Sequence, residues 1–118
     1  MERLTVENKV IVEKLHFLIS EYSCAYTYEN DIGDLYYFTC ELFKVNIYEF
    51  MQFNDLEITL IIDNQCYDIN PSLDKPKEYY SILKKRKGIK GWFYFNYEQD
   101  FWDLVAKIIK EKILSLIS

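Results

Sequence analysis

Carboxylate and aromatic side chains are the residues of this sequence that could do chemistry, and they concentrate in one stretch. Between Asp34 and Asp63 lie six acids, seven Tyr and Phe residues and a single base, Lys44. Paired carboxylates can transfer protons or bind a hard cation. Carboxylates interleaved with tyrosines are instead typical of surfaces that bind cationic proteins. The rest of the chain decides among these three chemistries.

The sequence lacks the residues that a catalytic site or a metal site would need. His16 is the single histidine and falls within a predicted helix, so it has no partner for a zinc site or for a Ser–His or Cys–His pair. Asp31 and Asp34 flank Gly33, but the spacing of an EF-hand loop is absent. The sequence contains no glycine-rich phosphate loop and no nucleophile elbow. We therefore expect no enzyme activity, no cofactor and no metal.

The cysteines indicate where the protein works. Cys24, Cys40 and Cys66 are odd in number and widely spaced, so they form neither a C-x-x-C pair nor a disulfide framework. We expect reduced thiols in a cytoplasmic protein, with Cys40 packed as a small apolar side chain. The apolar runs are too short for a bilayer span and the N-terminus does not resemble a signal peptide, so we expect no membrane partner.

Charge is unevenly distributed along the chain, whose net charge is −5. Residues 21–74 contain eleven acids and one base, whereas residues 75–118 contain ten bases and five acids. An acidic field attracts cationic partners and repels nucleic acid. The one basic cluster, Lys84 to Lys90, could contact phosphates. Cations also suit the end of a predicted helix, where they complement its dipole.

Hydrophobic periodicity predicts the elements that position these residues. The predicted helices span 5–22, with Thr5 as N-cap, 77–87 and 99–117. The predicted strands span 24–28, 35–43, 45–53, 56–63 and 91–97, and residues 65–69 either extend the fourth strand or form a short further one. This order of elements predicts one α+β domain over residues 1–118. In it, a mostly antiparallel sheet of about five strands is packed with N-terminal and C-terminal helices.

Strand alternation predicts one sheet face for the core and one for contact. The core face takes Tyr36, Phe38, Cys40, Leu42, Val45, Ile47, Met51, Phe53, Leu56, Ile58, Leu60 and Ile62. Glu49 also falls on this core face, unless a bulge in the third strand turns it outward or the strand has a different register. Phe50 and Ile61 fall on the second face, where either a covering helix or a binding partner would bury them.

The second face has the composition of a protein-binding surface. Tyrosine offers a large contact area at low entropic cost, and the carboxylates around it select a cationic partner. The candidate partner-binding residues on this face and in the adjoining turns are Glu29, Asp31, Asp34, Tyr37, Glu41, Tyr48, Asp55, Glu57 and Asp63.

In its size, its acidic middle stretch with interleaved aromatics and its order of elements, the chain resembles the immunity proteins of contact-dependent inhibition and other bacterial polymorphic toxin systems. The resemblance implies a cytoplasmic protein without catalytic residues that neutralises one cognate toxin domain, often a basic nuclease, at its active site or at an exosite beside it. The basic segment 75–118 departs from the simplest acidic pattern. Two other functions fit the composition: a phage anti-defence inhibitor that mimics nucleic acid, and a nucleic-acid-binding module that uses Lys84 to Lys90.

Overall fold

Five strands in the described part of the chain form an antiparallel sheet in which neighbours in sequence are neighbours in space. The structure is a computed structural model that describes residues 7–50, 55–86 and 92–117, with side chains described for 7–50, 56–84 and 98–117. Its elements are α1 (Lys9–Lys14), α2 (Phe17–Tyr22), β1 (Ala25–Asn30), β2 (Asp34–Thr39), β3 (Lys44–Phe50), β4 (Asp55–Ile62), β5 (Gln65–Asp68), α3 (Pro71–Asp74), α4 (Pro76–Arg86) and α5 (Trp92–Ile117). The predicted fold class, α+β with a five-stranded antiparallel sheet and helices at both ends, is confirmed.

Contacts along the chain define two compact units. The first is formed by residues 1–9 and 16–68 and contains α2 and the whole sheet. The second is formed by residues 10–15 and 69–118 and contains α3, α4 and α5. The assignment of one domain to residues 1–118 stays a prediction.

The predicted N-terminal helix over residues 5–22 is divided into α1 and α2. The break falls at Leu15 and His16, and α2 starts with the His16 carbonyl, which accepts from the Ile19 N–H at 2.9 Å and from the Ser20 N–H at 3.0 Å. α2 ends at Ser23, whose left-handed backbone (φ 57°) is typical of a helix C-terminus. Thr5, the predicted N-cap, lies outside the described residues.

The turns of the sheet decide where its strands end. β2 ends at Thr39, earlier than predicted, because the Cys40 N–H donates to the Phe43 carbonyl at 3.0 Å and closes the turn to β3. Leu42, predicted for the core, therefore lies in this turn and is 55% exposed. β4 and β5 are joined through residues 63–64, both with positive φ, as a two-residue hairpin of type I′ requires.

Alternation places the predicted core residues on one side of the sheet, which we call the buried face. Its buried members are Asp34, Tyr36, Phe38, Val45, Ile47, Ile58, Leu60 and Ile62. Glu49 lies on this face too, paired with Asp34 and Leu56 in an uninterrupted ladder, so the suggested bulge is wrong. Cys40 and Leu56 are half-buried, and Met51 and Phe53 lie outside the described residues.

The predicted strand over residues 91–97 is wrong, because α5 already begins at Trp92 and continues for 26 residues. A run of bulky side chains fits either a strand covered on both faces or a broadly apolar helix, and periodicity does not separate the two. The fifth strand is instead β5, at Gln65–Asp68. Farther along α5 the buried positions recur at helical spacing, at Trp102, Val105, Ile109 and Ile113.

Candidate protein-binding surface

The second side of the sheet has no buried side chain among the described residues, and we call it the open face. Its members are Ala25, Thr27, Glu29, Leu35, Tyr37, Thr39, Lys44, Asn46, Tyr48, Phe50, Glu57, Thr59, Ile61, Cys66 and Asp68. Each of these side chains is half-buried or exposed. Phe50 and Ile61, which the sequence could assign to a covered face or to a contact face, are both half-buried. The open face is therefore available for contact.

Strand register arranges the open face in rows. In one row Glu29 pairs with Leu35, Leu35 with Tyr48, and Tyr48 with Glu57. Neighbouring strands are separated by about 4.8 Å, so the two glutamates of this row lie about 14 Å apart with an apolar and an aromatic side chain between them. The next row places Tyr37 between two neutral polar residues. A partner that covers these rows meets aromatic groups at the centre and carboxylates at the sides.

Two aromatic rings stack at one end of the open face. The ring centroids of Tyr48 and Phe50 lie 5.6 Å apart with an angle of 16° between the planes. The turn between β1 and β2 approaches this pair closely at Gly33, where a Cβ atom would lie 2.8 Å from the Glu49 carbonyl oxygen and 2.9 Å from Cδ2 of Phe50. Glycine therefore allows the turn that carries Asp31 to lie against the stacked rings.

The carboxylates concentrate at that same end, which we call the acidic end. Glu29 and Glu57 are exposed on the open face, Asp31 is exposed in the adjoining turn, and Asp55 holds the register position opposite Phe50. Lys44 lies on the open face four residues along the ladder from Glu57, which is about 13 Å. Since charges are screened over about 8 Å at physiological ionic strength, Lys44 does not neutralise the acidic end.

Most of the predicted partner-binding residues meet at the acidic end or in the row beside it: Glu29, Asp31, Tyr37, Tyr48, Asp55 and Glu57. Glu41 and Asp63 are also exposed, but they lie in turns at the opposite end of the sheet. Asp34 is on the buried face and only 8% exposed, so its carboxylate does not belong to the surface.

Asp34 instead belongs to a hydrogen-bonded cluster that the sequence analysis missed. Its Oδ1 accepts hydrogen bonds from the Tyr28 hydroxyl at 2.6 Å and from the Asn30 side-chain amide at 2.7 Å. Burial, followed by the hydrogen bond to Asp34, raises the pKa of Tyr28 to about 12. The sequence signal was the alternation of Tyr26, Tyr28 and Asn30, which places three hydrogen-bonding side chains on one face of β1.

Two further tyrosines of the buried face hold the segment that precedes α1. The Tyr26 hydroxyl donates to Oε2 of Glu7 at 2.7 Å, and the Asn8 N–H donates to the Tyr36 hydroxyl at 2.8 Å. Burial is the main cause that raises the pKa of both phenols. These tyrosines are neutral at physiological pH and act as structural hydrogen-bonding groups.

Outside the open face, three features that could carry chemistry are carboxylate and cysteine clusters, His16 and the basic cluster Lys84 to Lys90. No group of three or more His, Cys, Asp or Glu side chains there could hold a metal ion. His16 is exposed at the start of α2. Of the basic cluster, Lys84 is exposed at the end of α4, and residues 85–90 lie outside the described side chains.

A groove in the second unit carries charges of both signs. It encloses about 440 Å³ and is lined by Lys77, Glu78, Ser81, Ile82, Asp100, Asp103, Leu104 and Lys107. Asp103 also forms an ion pair with Lys14 at 3.0 Å. Two lysines beside three carboxylates produce no strong field of one sign, so the groove does not suit a polyanion.

Comparison of the chain with protein-family models, with curated proteins and with solved structures found no match. Across the described residues, no helix combines the length and the apolar character needed to cross a bilayer. The open face is therefore the feature of the molecule from which a function can be inferred.

Proposed function

We propose that this chain is an immunity protein, a cytoplasmic inhibitor that binds and neutralises a cognate, basic toxin domain, with a nuclease as the expected toxin. The observation that carries the proposal is the acidic end of the open face, where Glu29 and Glu57 flank Leu35 and Tyr48 in a single row. All four side chains are half-buried or exposed, so a partner can reach them together.

The chemistry of a nuclease complements this surface. A nuclease cleft binds substrate phosphates through Lys and Arg side chains, and the same cations form strong, charge-assisted hydrogen bonds with carboxylates. In the proposed complex, Glu29, Glu57 and Asp31 take positions that phosphates would otherwise occupy. Binding at an exosite beside the cleft would use the same groups, because it needs only a basic surface of matching shape.

Tyr48 and Tyr37 are the proposed anchors of the complex. Both are half-buried near the middle of their rows, so a partner can desolvate their rings with little loss of side-chain freedom. Truncation of such an anchor typically costs about 2 kcal/mol of binding free energy or more, which corresponds to a roughly 30-fold rise in Kd. The carboxylates contribute mainly to the association rate, because they attract a basic partner before contact.

The test is a pull-down of the tagged full-length chain from its native host at low salt, with the captured protein identified by mass spectrometry. The captured protein is then purified and its nuclease activity is measured with and without added inhibitor. We expect one basic protein, inhibited at a stoichiometric ratio, whose capture is weakened by Tyr48→Ala and by Glu57→Gln. Thr39→Ala, an exposed position at the other end of the open face, is the matched control and leaves capture unchanged.

Other outcomes would redirect the proposal. Nucleic acid that stays bound at physiological salt would move the function to Lys84 to Lys90. Capture of a DNA-binding defence protein instead of a toxin would favour the nucleic-acid mimic. A toxin whose capture and association rate are insensitive to salt, to Tyr48→Ala and to Glu57→Gln would show that the open face is not the binding surface.

A further inference from the structure

We propose that Cys24 and Cys40 form a redox site, a dithiol that a peroxide converts into a reversible disulfide across one end of the β1–β2 hairpin. The site lies at the end of the hairpin opposite the acidic end. The proposal goes beyond the proposed function and does not depend on it, because it concerns only groups of the chain itself.

Strand register places the two cysteines opposite one another. The last pair of the ladder between β1 and β2 is Ala25 with Thr39. Antiparallel strands run in opposite directions, so the next pair beyond Ala25 and Thr39 consists of the residue before Ala25 and the residue after Thr39. These two residues are Cys24 and Cys40. Facing residues of a ladder point their side chains to the same side of the sheet, so the two thiols face each other.

The backbone hydrogen bonds show which kind of pair this is. The Cys24 N–H donates to the Leu18 carbonyl at 3.1 Å, and the Cys40 N–H donates to the Phe43 carbonyl at 3.0 Å. The two cysteines therefore do not exchange backbone hydrogen bonds with each other. In non-hydrogen-bonded pairs the Cα atoms lie about 4.5 Å apart. A disulfide requires a Cα separation between about 4.4 and 6.8 Å, so it can close without a large backbone movement.

The two side chains lie close enough to interact electrostatically, and they differ in exposure. Cys24 is 5% exposed and Cys40 is half-buried. Burial, and then the neighbouring Cys40, raises the pKa of Cys24 to about 12. The raised pKa keeps Cys24 in the thiol form, and Cys40 is the more exposed of the two, so Cys40 is the thiol that meets an oxidant first. Cys24 is the neighbouring thiol that reacts with the product.

The third cysteine does not compete within the same chain. Cys66 is exposed on β5, which is separated from β2 by β3 and β4. Three strand spacings amount to about 14 Å, which is too far for a disulfide with Cys40. Cys66 therefore serves as an internal reference for an ordinary exposed thiol.

The reaction takes place in two steps. The Cys40 thiolate attacks one oxygen of hydrogen peroxide, breaks the O–O bond and becomes a sulfenic acid, and the hydroxide that leaves takes up a proton to become water. The Cys24 sulfur then attacks the Cys40 sulfur and forms the S–S bond. The S–O bond breaks, and the departing hydroxide leaves as a second water with the Cys24 proton. Two thiols are oxidised and one peroxide is reduced, so atoms and electrons balance.

The disulfide would tie the segment after α2 to the turn between β2 and β3. β1 and β2 could then separate at the end marked by Ala25 and Thr39 only if a covalent bond were broken. The oxidised chain therefore resists unfolding more than the reduced chain. Reduction by a thiol restores the original state.

The experiment uses the reduced full-length chain and a Cys66→Ser variant, both treated with hydrogen peroxide. Remaining thiols are alkylated with iodoacetamide under denaturing conditions, and the products are mapped by peptide mass spectrometry. We expect a peptide pair linked through Cys24 and Cys40, with Cys66 alkylated in the wild type. The Cys66→Ser chain should lose the mass of two hydrogen atoms, and its urea midpoint should rise until dithiothreitol reverses the shift.

A second variant, Cys24→Ser, separates the two steps. We expect it to accumulate the Cys40 sulfenic acid, which dimedone traps, whereas the wild-type chain gives little of this adduct because Cys24 consumes it.

The proposal is overturned if folded Cys66→Ser keeps two alkylatable thiols after peroxide treatment. It is also overturned if Cys40 proceeds to the sulfinic acid while Cys24 stays alkylatable, or if Cys40 pairs with Cys66 within the wild-type chain.

Discussion

On the buried face of the sheet, Tyr28 donates its hydroxyl to the Asp34 carboxylate at 2.6 Å, whereas on the open face Tyr48 and Glu57 lie side by side at the surface. The same two residue types thus serve different purposes on the two sides of one sheet. On the buried face, phenol and carboxylate bind each other and the pKa of the phenol rises. On the open face, the carboxylates face solvent and contribute to a long-range field.

The difference teaches that composition alone does not identify a binding surface. Asp34 and Glu57 belong to the same acidic stretch and look equivalent in the sequence. Neighbouring residues of a strand point to opposite faces of the sheet. A shift of one position along the strand therefore decides whether a carboxylate faces solvent or accepts hydrogen bonds on the buried face. Substitutions at matched positions on the two faces should therefore separate stability from binding.

The largest expected effect is on the buried face. Phe38 is fully buried, so Phe38→Ala leaves a cavity and should lower the free energy of unfolding by about 3–5 kcal/mol. Tyr37→Ala, at the neighbouring position on the open face, should change it by about 0.5 kcal/mol. Urea unfolding of both variants measures the contrast, and equal losses would mean that the open face is buried in the folded chain.

Removal of the buried carboxylate should have the next largest effect. Asp34→Ala leaves the Tyr28 hydroxyl and the Asn30 amide without their acceptor, which should cost about 2–3 kcal/mol of stability. Glu57→Ala, the matched carboxylate of the open face, should alter the unfolding free energy by about 0.5 kcal/mol or less. If thermal and urea unfolding showed the two variants to be equally stable, the assigned role of Asp34 would be wrong.

A smaller effect is expected at the turn beside the stacked rings. In Gly33→Ala the new Cβ must be accommodated against the Glu49 carbonyl oxygen and the Phe50 ring, which should destabilise the fold by about 1–2 kcal/mol. Ile32→Ala, at an exposed position in the same turn, is the control and should stay near the wild type. Denaturation midpoints of the two variants measure this difference, and a neutral Gly33→Ala would show that the turn can move away from the rings.

The last expected effect is absent at neutral pH and appears only at alkaline pH. Tyr28 has an ordinary pKa of 10.0 that rises to about 12 in the fold, so the unfolded chain loses this proton first. The stabilising contribution is therefore complete below pH 10 and is lost as the pH rises from 10 to about 12. Tyr28→Phe should flatten the decline in unfolding free energy over this window. An unchanged slope in Tyr28→Phe would contradict the assignment.

Some of the site could be predicted because strands have a short and regular period. Alternation correctly placed Tyr36, Phe38, Val45 and Ile47 on one face and Tyr37, Tyr48 and Glu57 on the other. The position of turns was harder to predict, because a turn is closed by particular hydrogen bonds. The bond from the Cys40 N–H to the Phe43 carbonyl ends β2 and exposes Leu42, although both cysteine and leucine favour burial.

The first turns of α5 show where a local sequence pattern gives the wrong element. Residues 91–97 are rich in aromatics, a composition favoured in strands. They precede a long amphipathic segment, and from Trp92 onward the helix continues through both. Helix formation is cooperative, so an adjoining strong helix extends more easily than a new element begins.

The sequence by itself determined the class of fold, the polarity of the two sheet faces and the acidic character of the middle of the chain, because each depends on local periodicity or on a sum of charges. Only the tertiary structure decided that Asp34 is a buried acceptor, that Glu29 and Glu57 bracket Tyr48 in one row, and that Cys24 faces Cys40. Each of these depends on strand register and turn length. Both are set by contacts between residues far apart in the chain, which no local pattern encodes.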